Sequence, residues 1–149
     1  MPAPDGRIAD QGFHEFTYSL YPHAGDWKSG GTMRQGYELN YPLIPVEVQS
    51  HAGAWSKTRS FASVEQKNVI VTALKKAEDS DDLVFRFYEF EGKSTAVKMS
   101  LPEAASSATE TDLMEKQERP IALQGHELTI PTGPYEIKTV AVSFPSTKN

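Results

Sequence analysis

An all-β fold, an antiparallel sandwich of about eight strands with at most one short helix, is what the sequence predicts. Three observations carry that expectation. Short runs of alternating or β-branched apolar residues recur at close spacing, ten glycines and ten prolines punctuate the 149 residues, and no long amphipathic helical pattern occurs. The first dozen residues, polar and rich in Pro and Gly, read as a tail or linker remnant, and 13–149 as a single sandwich domain.

The first strand is expected at Phe13–Tyr21, where Phe16, Tyr18 and Leu20 share one face and Glu15, Thr17 and Ser19 the other, the period of a half-buried strand. Pro22 ends it. From Ala24 to Tyr41 four glycines predict a loop with at most a short helix around Thr32–Leu39. Pro42 and Pro45 force extended backbone before a second candidate strand, Val46–Gln49. A polar loop, Ser50–Ser60, carries Trp55.

Asn68–Leu74 is apolar on both faces and β-branched, as a central strand would be. The charged link Lys75–Asp82 joins it to Leu83–Phe90 in a hairpin, and Glu91–Lys93 turns the chain again. Thr95, Val97, Met99 and Leu101 alternate with Ala96, Lys98 and Ser100, the clearest strand pattern present. After a small-residue loop, Pro102–Ala108, shorter strands are expected at Thr111–Glu115, Glu127–Ile130 and Tyr135–Phe144.

Fifteen basic against twenty acidic residues give a net charge of −5, with no basic field to collect nucleic acid or an anionic membrane surface. No apolar run approaches the roughly 20 residues of a membrane helix, and the start lacks the apolar core of a signal peptide. Without cysteine there is no disulfide framework and no thiolate metal site, which agrees with a cytoplasmic setting.

No catalytic or metal-ligating set stands out. His14, His23, His51 and His126 show no metal-ligand spacing, no phosphate-binding glycine loop or serine elbow occurs, and none of the twenty acids is singled out as one of a carboxylate pair. Glu78–Asp82 lacks the ligand order of a calcium loop and reads as a solvated connection.

One string is unusual. In Tyr21–Trp27, Pro and Gly hold the backbone while Tyr21, His23, Asp26 and Trp27 supply donors, an acceptor and flat apolar faces. Sugar sites use that combination, because a ring's C–H face stacks on an aromatic while polar groups take hydroxyls. The plainer reading has Trp27 plugging the end of the sandwich and Asp26 capping a short helix at Lys28 or Ser29. Trp55 has the same two readings.

The same residues carry a family resemblance. Ala9–Trp27 (ADQGFHEFTYSLYPHAGDW) resembles a motif in the C-terminal region of glycoside hydrolase family 38 α-mannosidases, of the cytosolic and vacuolar type with its bacterial members. The likeness continues through Tyr37–Leu43, Ser63–Glu65, Asn68–Asp79, Leu83–Glu89, Glu110–Glu115 and Pro134–Val140, in order and at similar spacing. Phe13 stands where a charged residue is common, and 48–59 matches no pattern.

The resemblance implies a C-terminal piece of a larger, multidomain enzyme. That enzyme hydrolyses α-mannosides with retention, using a zinc held by an N-terminal catalytic domain. None of the family's catalytic or zinc-binding motifs is matched, so no such residue is carried over. The expected role is a non-catalytic domain that supports the catalytic barrel as its partner, with Tyr21, His23, Asp26 and Trp27 as candidates for the active-site rim. The alternative is an independent carbohydrate-binding module for mannosides through Trp27 or Trp55. A surface that faces the barrel in such an enzyme would be apolar and bare in the isolated piece.

Overall fold

The computed structural model describes residues 11–145, and the nine strands found there form two antiparallel sheets. The expected tail, 1–12, lies outside the described residues apart from Gln11 and Gly12. The chain divides into two units, one up to Val46 and one from Glu47 onward.

The second unit is the sandwich. One sheet has the order β1-β4-β8-β7, from Ser63–Val64, Thr95–Ser100, Glu127–Thr132 and Leu123–Gln124. The other has the order β2-β3-β9-β5-β6, from Val69–Lys76, Leu83–Glu89, Ile137–Ser143, Ser107–Thr111 and Gln117–Pro120. The alternation read at Thr95–Leu101 is realised in β4, where Val97 and Met99 are buried and Ala96 and Lys98 exposed, and β8 alternates in the same way. Val97 and Met99 from β4 meet Leu128 and Ile130 from β8 in the core, opposite Val69, Phe85, Phe87, Val140 and Val142 of the larger sheet. Burying a side chain of this size contributes about 1.5–3 kcal/mol, so these facing rows are the main source of the unit's stability.

The chain passes between the sheets five times, β1 to β2, β3 to β4, β4 to β5, β6 to β7 and β8 to β9. The Glu89 carboxylate bonds to residues at the first, second and last of these crossings. The Glu91–Lys93 turn makes the second of these crossings.

Several expectations are corrected. β2 forms the expected hairpin with β3, but it is an edge strand, not a central one. Its start, Val69 and Ile70, is buried, while Val71 and Leu74 are exposed beside a bulge between Val71 and Ala73. The central place belongs to β9, buried without a break from Lys138 to Val142. A β-branched run marks a strand, yet position in the sheet depends on which distant strand returns to pair with it.

The expected strand at Thr111–Glu115 lies earlier, at Ser107–Thr111, because Ala108 is small enough to pack beneath Val142. Beyond it, Asp112 Oδ1 accepts the Met114 and Lys116 N–H groups at 2.8 and 2.9 Å and bends the chain, with Glu115 at φ 64°. Three short strands were not anticipated: β1, β6 and β7.

In the first unit, the expected helix is present as α1, Thr32–Asn40. Pro42 follows, where a helix cannot continue. The expected strand at Phe13–Tyr21 is not formed. Phe16, Tyr18 and Leu20 are 80%, 85% and 91% exposed, and no ladder reaches them among the described residues. Alternation makes a strand only where a partner supplies hydrogen bonds and an apolar face. Val46–Gln49, spanning the division between the units, is likewise extended but unpaired, with Val46 and Val48 exposed.

Candidate functional site

Tyr21 to Tyr41 form a small, locally braced structure. The Asp26 carboxylate accepts the Ser29 backbone N–H and hydroxyl, each at 2.8 Å, and the Asp26 carbonyl accepts the Gly30 N–H at 2.9 Å. Asp26 thus caps the turn Trp27–Gly31, and the bonds from the Ser29 amide and hydroxyl hold its carboxyl below the ordinary range. The helix α1 itself has Gly31 at its N-cap and no side-chain cap.

The Tyr21 hydroxyl donates to the Gly30 carbonyl at 3.0 Å, closing the turn from the other side. The His23 ring lies 5.5 Å from the Tyr21 ring, with Nε2 3.2 Å from Thr32 Oγ1 and Nδ1 3.2 Å from the Ala24 carbonyl. A Cβ at Gly30 would come within 2.3 Å of His23 Nδ1, so the ring's place requires a glycine there. Tyr21, His23 and Asp26 all engage their own loop, and Trp27 is the residue they position. Its carbonyl accepts the Thr32 N–H at 3.1 Å, and its indole is 44% exposed.

That indole forms one wall of a half-open groove of about 550 Å³. The α1 face carrying Met33, Gly36, Tyr37 and Asn40 forms the other, with Thr32 and Tyr41 at its ends. The Tyr37 and Tyr41 rings stack at 5.8 Å with 18° between their planes. Of the four candidates read from the sequence, Trp27 alone lines this groove. Tyr37 and Tyr41 are absent from that set because the four glycines of Ala24–Tyr41 predict chiefly a loop. The available signal was their i, i+4 spacing across a short predicted helix.

Trp55 belongs to the second unit and is 66% exposed. The Arg59 guanidinium lies 4.5 Å from its ring centroid, and Phe61 meets it edge-on at 5.7 Å.

Glu89 and Glu110, the two carboxylates buried among the described residues, have structural partners. Glu89 is fully buried and takes five N–H donors, while Glu110 pairs with Lys138 and Arg119. Among the described residues no group of three His, Cys, Asp or Glu side chains is placed so that it could hold a metal ion. No helix among them is long and apolar enough to cross a membrane.

The two-sheet sandwich has a counterpart among known domains. Residues 68–140 match the model of the glycosyl hydrolases family 38 C-terminal beta sandwich domain, and the sandwich belongs to that family. Across nearly its whole length the chain is similar to Alpha-mannosidase G of Dictyostelium discoideum, 34% identical over 142 residues and 93% of this chain. It is also similar to Alpha-mannosidase 2C1 of Homo sapiens, 34% identical over 140 residues and 91% of the chain. The same-named protein of Mus musculus is 31% identical over 152 residues and 99% of the chain. The chain spans only 13–14% of the length of these relatives.

Proposed function

We propose that the chain is a non-catalytic C-terminal module of an α-mannosidase, and that it docks on and stabilises the catalytic domain of the same enzyme. The observation that carries this reading is a run of bare apolar side chains: Phe13, Phe16, Tyr18 and Leu20, then Leu43, Ile44 and Val46, all more than three-quarters exposed. Exposed apolar surface on that scale marks an interaction site. The relatives' sevenfold greater length supplies the occupant, a larger domain of the same polypeptide. The zinc that the resemblance implies belongs to that domain, and the cysteine-free composition suits a cytoplasmic enzyme.

Deleting these 149 residues from the full-length enzyme should lower its thermal midpoint and its hydrolysis of an aryl α-mannoside. The isolated chain, supplied with zinc, should hydrolyse none. An unchanged midpoint and rate after deletion would remove the docking role.

A second reading has support from Trp27, whose half-exposed indole faces a groove. In it the chain contacts mannosides directly, at the rim of the catalytic site or as an independent binding module.

A further inference from the structure

We infer that the groove between Trp27 and α1 is a subsite for a neutral pyranose, held by stacking on Trp27 and the Tyr37–Tyr41 pair. This rests on the second reading, that the chain contacts mannosides, and deepens it by naming the site and the residues that shape it.

The lining decides the ligand class. None of the lining side chains is charged, and the cation beside them, Lys28 Nζ, lies over the Trp27 ring at 5.2 Å from its centroid. The groove therefore offers a ligand apolar and neutral polar contacts and no carboxylate. Three aromatic side chains, Trp27 and the mutually stacked Tyr37 and Tyr41, line it, and aromatic surface is the usual partner for the C–H side of a sugar. Thr32 and Asn40 place a hydroxyl and an amide among them. Asn40 Nδ2 donates to the Gly36 carbonyl at 2.7 Å, which fixes the amide and leaves its oxygen as an acceptor for a sugar hydroxyl. The volume, about 550 Å³, lies within the range of small-ligand pockets.

The wall is preorganised. Asp26 and Ser29, Tyr21 and Gly30, and the Thr32–Trp27 backbone bond hold the turn that carries the indole. Stacking on a fixed ring costs less side-chain entropy than stacking on a mobile one.

Gly36 is the independent sign. Glycine inside a helix is less favourable than alanine, and a Cβ at this position would meet nothing within 4 Å. No packing within its unit therefore requires the glycine. It lies on the α1 wall of the groove, where an added methyl would take space only from whatever enters.

The other hollows serve a sugar less well. The cleft at the sheet edge, between Phe61, Val71, Leu74 and Phe85, is apolar with little to meet a hydroxyl. In the hollow around Lys75, Glu78 and Glu115 the charged groups are engaged with one another, and no aromatic ring lines it.

The test is a fluorescence titration of the whole chain carrying Trp55→Phe, so that Trp27 alone reports, with methyl α-D-mannopyranoside and an α-linked mannobiose. Saturable quenching is expected, weakened at least tenfold by Gly36→Ala while the thermal midpoint stays equal or rises. Because that substitution favours the helix, lost binding could not be ascribed to unfolding. A flat titration on a folded chain would overturn the subsite and leave the docking role standing, since deletion tests that role separately. Equal affinity in the Gly36→Ala chain, or equal quenching by glycerol, would overturn it as well.

Discussion

The Glu89 carboxylate at the end of β3 accepts the backbone N–H of Tyr135 at 3.0 Å, and so joins two of the five crossings where the chain changes sheets, β3 to β4 and β8 to β9. The same carboxylate takes the N–H groups of Glu91, Gly92 and Lys93 at 2.8–3.1 Å in the β3–β4 turn. It also takes Asn68 Nδ2 at 2.9 Å, at the entry to β2. Burial alone would raise the pKa of this group; the donors from Tyr135, Asn68 and the turn outweigh it and hold the carboxyl at about 2 instead of 4.5.

A folded pKa below the unfolded one means that the stabilisation is fully present above about pH 4.5 and is lost as pH falls toward 2. The shift corresponds to about 3 kcal/mol. Glu89→Gln should therefore cost about 2–4 kcal/mol at pH 7, because an amide cannot satisfy the same set of donors. Denaturant midpoints measured from pH 7 down to pH 3 should converge for the two proteins. A constant gap across that range would show that Glu89 acts through packing and not through its charge.

Gly92, within the same turn, has φ 78°, and a Cβ there would lie 2.7–2.8 Å from the Tyr135 ring. The ring atoms it would meet are the far end of a largely exposed side chain, which can swing aside. The backbone cannot. Gly92→Ala should cost about 1–2 kcal/mol, nearly all from the left-handed conformation. In a Tyr135→Ala background the cost should be nearly unchanged; its disappearance there would assign it to the ring.

Lys138 and Glu110 place an ion pair at the end of the core, 2.7 Å apart and each under one-tenth exposed. Lys138 shares the inward face of β9 with Val140 and Val142, and it also reaches Glu136 at 2.7 Å. Burial works against the charge on Lys138, but Glu110 and Glu136 outweigh it and raise its pKa. Lys138→Met should cost about 3–5 kcal/mol, since Glu110 would keep only its half-exposed partner Arg119. Adding Glu110→Leu should recover much of that loss in thermal melts. If the double variant is no better than the single one, the pair is not held together by mutual compensation.

How far the fold was legible follows from which residues carry it. Thr95–Leu101 and Glu127–Thr132 alternate because one face of each strand meets the core and the other does not, and such strands announce themselves. Ser107–Thr111 did not, because Ala108 and Thr109 pack as small residues against the central strand and resemble a loop in composition. Phe13–Tyr21 misled for the opposite reason, an alternating run with no strand to pair with among the described residues. At the site, Trp27 stood out beside Pro and Gly, but its groove partners did not. Gly36 looked like one more loop glycine, and only the helix around it makes its lack of a side chain informative. Glu89 was hidden as well, although Phe85, Phe87 and Glu89 share a face and a carboxylate in that row before a turn is a readable sign.

Trp27 offers a final contrast between scaffold and site. The bonds that shape its turn run through its backbone and through Asp26, Ser29, Tyr21 and Gly30, so removing the indole leaves them in place. Trp27→Ala in the full-length enzyme should leave the thermal transition where it was. Should the groove bear on substrate, the same variant raises KM or lowers kcat for α-mannosides. A raised KM with kcat kept would mean that Trp27 binds ground and transition states alike, as a subsite away from the scissile bond would. Wild-type kinetics with an intact melt would take Trp27 out of substrate contact altogether. A lowered melt would instead assign the indole to packing, and its exposure in the isolated chain would then mark a face that the catalytic domain covers.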